Sequence, residues 1–170
     1  MAPGLHTAEL SASPSGDGPV VSLPITVIRP VTDLGRNLRL EHGPKPFVSG
    51  HLERIFVTPP ANTTWMKMTV TAAPEGFGSH NFVLHAVQLV PQCSYDDHNF
   101  QRHFPLAAGD TWTADTPVVP LHTLEVCLGQ MWNSLGGNDV TLTVEFHGVD
   151  ADNVVLSALA PTARVVRVAS

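Results

Sequence analysis

Apolar and polar residues alternate with a period of two along several stretches of the chain. Met66, Met68 and Val70 alternate with Lys67, Thr69 and Thr71, and Leu142, Val144 and Phe146 alternate with Thr141, Thr143, Glu145 and His147. Successive side chains on an extended backbone point to opposite faces, so each stretch predicts a strand with one wet face. Over residues 82–89 both alternating sets are mostly apolar, Phe82, Leu84 and Ala86 against Val83, Val87 and Leu89. That pattern predicts a central strand covered on both faces. Further strands are predicted at residues 22–28, 51–57, 123–128, 154–159 and 164–168, about eight strands in all.

Fifteen prolines and thirteen glycines cut the chain into short pieces and leave little room for long helices. Turn signals stand at Gly136-Gly137-Asn138-Asp139 and over residues 148–153. Two packed antiparallel sheets are the economical way to bury this many one-sided strands, so the expected fold is an all-β, two-sheet antiparallel β-sandwich. Residues 91–120 hold Tyr95, Phe100, Phe104 and Trp112 without clean alternation, and long connections with one short strand or turn of helix are expected there. Residues 1–18 carry Pro3, Gly4, Pro14, Gly16 and Gly18 without a continuous apolar core and read as a flexible tail.

Of the 170 residues 43% are hydrophobic and 14% charged, enough for one good core. A formal charge of -6 offers no basic field for a polyanion, so no nucleic acid is expected as a partner. The longest apolar runs fall far short of the roughly 20 residues a membrane span needs, and no membrane partner is expected either. The first residues lack the pattern of a secretory signal, and two cysteines, Cys93 and Cys127, fit reduced thiols in a cytoplasmic chain. Asn62-Thr63-Thr64 has the form of a glycosylation acceptor and reads as a polar turn after Pro59-Pro60.

Candidate chemistry is sparse. Cys93, His98 and His103, with Asp96 and Asp97 between them, form the tightest metal-like set, yet a fourth ligand to close a tetrahedral zinc site is missing. Ser79 and His80 are adjacent and would point to opposite faces of a strand, which prevents easy proton sharing. His85 reads as a hydrogen-bonded core or interface histidine. Glu125 and Glu145 are the candidates for paired acids in glycoside hydrolysis, and both read as solvent-facing strand positions. Trp65, Trp112 and Trp132 could line a sugar platform, but read first as core or interface aromatics. No catalytic, cofactor-binding or metal-ligating residue is therefore expected, and no cofactor.

The run Phe82-Val83-Leu84-His85-Ala86-Val87-Gln88-Leu89-Val90 resembles a segment of the tripeptidyl peptidase II family, subtilisin-type serine exopeptidases. PANTTWMKMTV at 60–70 resembles that family's P-x-x-A-T-W-x-x-V-T-V, and CLGQMWNSL at 127–135 its C-x-x-x-W-W-x-S-L, with Met131 at the first of the paired tryptophans. Leu23-Pro24-Ile25-Thr26-Val27-Ile28 resembles the closing strand that precedes this region in the family, and Glu145-Phe146-His147-Gly148-Val149 is similar to its F-H-G-I/V element. These elements follow the family's order over residues 38–167.

The resemblance implies a galactose-binding-like jelly roll over residues 38–170, preceded at 19–37 by a closing strand and linker like the end of an immunoglobulin-like domain. It further implies a non-catalytic structural module whose partners are a subtilisin-type protease domain and copies of the same protein in a homo-oligomer. No segment matches the family's catalytic Asp, His and Ser motifs, so none of its active-site residues transfers here and the chain is expected not to be an enzyme. A carbohydrate- or ligand-binding sandwich is the alternative.

Overall fold

The computed structural model describes residues 1–13, 18, 21–88 and 90–148. It contains ten strands: β1 (Gly4–Ala12), β2 (Val21–Arg29), β3 (Arg39–Val48), β4 (Leu52–Val57), β5 (Thr63–Ala72), β6 (Ser79–Gln88), β7 (Asn99–Ala107), β8 (Thr111–Pro117), β9 (Leu124–Gln130) and β10 (Gly137–Gly148). Eight of them build two four-stranded antiparallel sheets, ordered β3-β10-β5-β8 and β4-β9-β6-β7, while β1 and β2 form a separate ribbon. Among the eight, only β6 and β7 are consecutive and paired. Every other connection crosses between sheets, the jelly-roll arrangement.

The alternation explains the core. Met66, Met68, Val70 and Ala72 of β5 and Val140, Leu142, Val144 and Phe146 of β10 face inward from one sheet. Phe82, Leu84 and Ala86 of β6 and Leu124, Val126 and Leu128 of β9 meet them from the other. The open sides are closed by aromatics. Phe104 of β7 stacks on Trp112 of β8 with centroids 3.9 Å apart and planes within 4°, and Phe47 of β3 lies edge-on to Phe82 at 5.6 Å. Outside, the first sheet is wet, with Arg39, Glu145, Lys67 and Asp115 in register across all four strands in alternating charge.

Several expectations need correction. β6 is interior, between β9 and β7, but it is not covered on both faces: Val83, His85 and Val87 are half-buried on the sheet's outer side. Residues 91–120 hold two full strands, β7 and β8, besides a short 3-10 turn at Tyr95–His98. Both are edge strands whose inward positions are diluted by Arg102, Ala114 and Thr116, which blurs the alternation. β3 escaped notice because Gly43, Pro44 and Pro46 interrupt it, and an edge strand tolerates proline where an inner one would lose ladder bonds. At Gly43 the register with β10 slips between Val140 and Leu142; φ is 131° there, and a Cβ would stand 2.7 Å from the Val140 carbonyl oxygen.

The expected tail at 1–18 is also corrected, since residues 4–12 pair with β2 along nine register positions. Alternating Leu5, Thr7, Glu9 and His6, Ala8, Leu10 supply the strand pattern that the flanking Pro and Gly obscured. The linker after β2 is anchored rather than loose. Val31 bridges to Val57 and exchanges backbone hydrogen bonds with Phe56 and Thr58, and Leu34 enters the core. The strands expected at 154–159 and 164–168 lie outside the described residues.

Candidate functional site

The fold disperses the residues that the sequence offered as chemistry. His98 ends the 3-10 turn and His103 sits well along β7; the four extended steps from Asn99 to His103 alone span about 13 Å. Among the described residues no three His, Cys, Asp or Glu side chains gather as a metal site. Ser79 is exposed and His80 buried, on opposite faces as an extended chain dictates, and the His80 Nε2 contacts the Phe77 carbonyl at 3.1 Å. Glu125 and Glu145 lie on the outer faces of different sheets with the core between them, so they cannot flank one bond. Each answers an arginine instead, Arg54 at 2.7 Å and Arg39 at 3.9 Å.

On the outer face of the β4-β9-β6-β7 sheet the register places Arg54, Cys127, His85 and Gln101 side by side. His85 Nε2 bonds the Asn99 Oδ1 at 2.7 Å, so this histidine is a partnered outer-face residue. Burial pushes the Cys127 thiol up and the neighbouring Glu125 adds to it, against a weaker pull from Arg54. That leaves a protonated thiol at neutral pH, a poor nucleophile. Cys93 is exposed, and both cysteines are free.

Two grooves flank this sheet. One, of about 370 Å³, is lined by Ile28 of the ribbon, Phe56, Val87, Tyr95, Thr123 and Glu125. The other, of about 260 Å³, lies between Asn81, His103, Pro105, Met131 and Asn133, over Phe82 and Phe104, whose rings are buried and offer no exposed face. A sugar site would want an aromatic ring over such amides. Trp132, though exposed and next in sequence to both Met131 and Asn133, is not part of this groove's lining. Trp65 is spent on His147, stacked at 4.2 Å, and Trp112 on Phe104.

Two buried glutamines escaped the sequence reading. Gln88 bonds the backbone of Val119 twice and the carbonyl of His122, tying down the β8–β9 loop. Gln130 donates to the carbonyls of Ser134 and Gly136 and holds the β9–β10 loop. Their signal was present: each is in phase with the inward residues of its own strand. A polar group at such a position must bring its partners with it.

The ribbon carries an uncovered apolar face. Val21, Leu23, Ile25 and Val27 line one face of β2, with Leu10 and Ala8 opposite Leu23 and Ile25 on β1. Ile28, on the other face, lines the groove against the sheet, so the Val21–Val27 face points away from the sandwich. Its large side chains are all exposed.

Residues 47–136 match the family model described as TPPII, galactose-binding domain-like. The chain belongs to this family. The match runs from Phe47, the inward residue at the end of β3, to the β9–β10 loop, and so contains both loop-holding glutamines. The chain is 28% identical over 146 residues to tripeptidyl-peptidase 2 of Arabidopsis thaliana, covering 79% of this chain and 10% of that protein. It is 30% identical over 151 residues to tripeptidyl-peptidase 2 of Caenorhabditis elegans, covering 86% of this chain and 10% of the relative. The fold matches a crystal structure of tripeptidyl peptidase 2 (TPP II) with a TM-score of 0.78 at 22% identity, over 91% of this chain and 14% of that one. The chain therefore spans about a tenth of the length of the curated relatives it matches. The two-sheet β-sandwich expected from the strand pattern is the fold found, in the jelly-roll form that the family resemblance implied. Among the described residues no helix is long and apolar enough to cross a membrane.

Proposed function

We propose that this chain is a non-catalytic assembly module of a tripeptidyl peptidase II-like serine protease, one that positions a subtilisin-type protease domain and supports a homo-oligomer in the cytoplasm. The observation carrying the reading is the ribbon: an amphipathic pair of strands whose apolar face points away from its own sandwich is half of an interface. Residues 19–37 then act as the closing strand and linker of a preceding immunoglobulin-like unit, whose second layer would cover Leu10, Leu23 and Ile25. The dispersal of Ser79 and His80, of His98 and His103, and of Glu125 and Glu145 supports this reading, since among the described residues these candidates do not come together as nucleophile, base and orienting group.

The test is a chimera in which this chain replaces the matching 151-residue segment of the Caenorhabditis elegans relative. Its mass by native mass spectrometry is compared with that of the parent and of a segment-deleted protein. Assembly as in the parent, lost on deletion, is expected, together with no hydrolysis of tripeptide reporters by the isolated chain. A chimera that fails to assemble, or an isolated chain that turns over substrate and binds a serine-directed probe stoichiometrically, overturns the proposal. Saturable sugar binding by the isolated chain, with the chimera unassembled, would replace it with the carbohydrate-binding alternative.

A further inference from the structure

Four connections meet at one end of the sandwich: the β3–β4 turn, the β5–β6 loop, the β7–β8 turn and the β9–β10 loop. Hydrogen bonds tie the first to the fourth, the third to the second, and the fourth to the start of β6. Ser49 Oγ donates to the Ser134 carbonyl at 2.6 Å, the Asn81 amide donates to Ser134 Oγ at 2.9 Å, and the Gly109 amide donates to the Ala73 carbonyl at 3.2 Å. Gln130, buried below, fixes the β9–β10 loop from inside with bonds of 2.8 and 2.9 Å to Ser134 and Gly136. In these loops Ser134 is buried while three large apolar side chains stand outward. Phe77 is 90% exposed, Leu135 83% and Trp132 77%.

An ordinary loop would expose Ser134 and bury Trp132. Holding the large rings and Leu135 in water brings no benefit to the isolated fold, whereas a rigid display of aromatic anchors lowers the ordering cost of binding. Charge narrows the partner. Across residues 49–51, 73–78, 108–110 and 131–136 the charged side chains are Glu75 and Asp110, both exposed, with no Lys or Arg. An acidic rim repels anionic lipid and repels its own copy across a two-fold axis.

We infer that this loop end docks Trp132, Leu135 and Phe77 into an apolar cleft rimmed by Lys or Arg on a neighbouring protein domain. The inference rests on the assembly reading and names the surface used, which is separate from the ribbon. It is tested in the chimera described above, with benzoylphenylalanine at position 132 or, as a control on the wet outer sheet, at Thr113. The expected crosslink from position 132 falls on a peptide of another domain or subunit that carries Lys or Arg beside apolar residues, and position 113 gives none. Trp132→Ala and Glu75→Lys/Asp110→Lys should each raise the concentration at which the assembly half-dissociates at least tenfold. The lysine pair should also abolish its sensitivity to salt. The far-ultraviolet circular dichroism of each variant should match the parent.

An assembled chimera indifferent to both variants overturns the inference and leaves the assembly reading standing. A crosslink from position 132 to added phosphatidylcholine or phosphatidylserine vesicles, or to the same loop of a second copy, overturns it as well. If the unsubstituted chimera fails to assemble, the assembly reading falls, while a crosslink within the single chain to a basic-rimmed cleft still supports the docking surface and its absence counts against it.

Discussion

Glu53 of β4 meets His42 of β3 at 3.0 Å across the seam between the two sheets, and its other oxygen meets His51 at 2.9 Å. The two strands are edge strands of different sheets, so this carboxylate laces one open side of the sandwich, as Phe104 and Trp112 close the other. Burial pushes the Glu53 carboxyl up, but the hydrogen bonds of His51 and His42 and the pull of His42 and Lys45 outweigh it and hold it below its ordinary value.

A carboxylate with a lowered folded-state pKa contributes stability above its unfolded value, and that contribution is lost as pH falls through the folded one. Denaturant unfolding between about pH 6 and pH 3 should therefore show an acid-sensitive portion on the order of 1 kcal/mol that Glu53→Gln removes. Equal acid dependence in the two proteins would refute the role of this seam.

Trp112 and Trp132 should behave as opposites. Trp112→Ala strips the partner from Phe104 and should cost about 3 kcal/mol, lowering Tm by roughly 6–12 °C in a protein of this size. Trp132→Ala should change stability by no more than about 0.5 kcal/mol and reduce the water-exposed, red-shifted part of the tryptophan emission, leaving the share of Trp65. Calorimetry and fluorescence on the two variants separate them.

Gln130→Ala frees two loop carbonyls from a buried donor, so a loss of about 1–3 kcal/mol is expected. Hydrogen exchange should quicken over residues 131–136 while the amides of β5 and β10 keep the protection of the global fold. Uniform quickening across both sheets would mean that Gln130 supports the core rather than the loop.

Lysines placed on the apolar face of the ribbon, Leu23→Lys with Ile25→Lys, should leave Tm within about 2 °C, since both side chains are exposed and meet only their neighbours on the ribbon. Concentration-dependent light scattering of the isolated chain should fall, because a charged ribbon resists edge-to-edge pairing. A large Tm loss would show that the ribbon face is buried in the monomer.

Alternation by itself determined the two-sheet core: the inward sets of β5, β6, β9 and β10 are legible at Met66, Phe82, Val126 and Val144 because a half-buried strand imposes a period of two. It also separated Ser79 from His80, while CLGQMWNSL at 127–135 stood out only through its family resemblance. Tertiary structure decided the rest, because edge strands answer to neighbours distant in sequence. Gly43, Pro44 and Pro46 could sit in β3 only because one side of that strand pairs with nothing, and β7 and β8 owe their place to Phe104 meeting Trp112. Which apolar residues stay in water was likewise beyond local pattern. Trp132 and Leu135 look like core residues until Gln130 and Ser134 take the buried positions and turn them outward, since one backbone loop cannot send both sets inside.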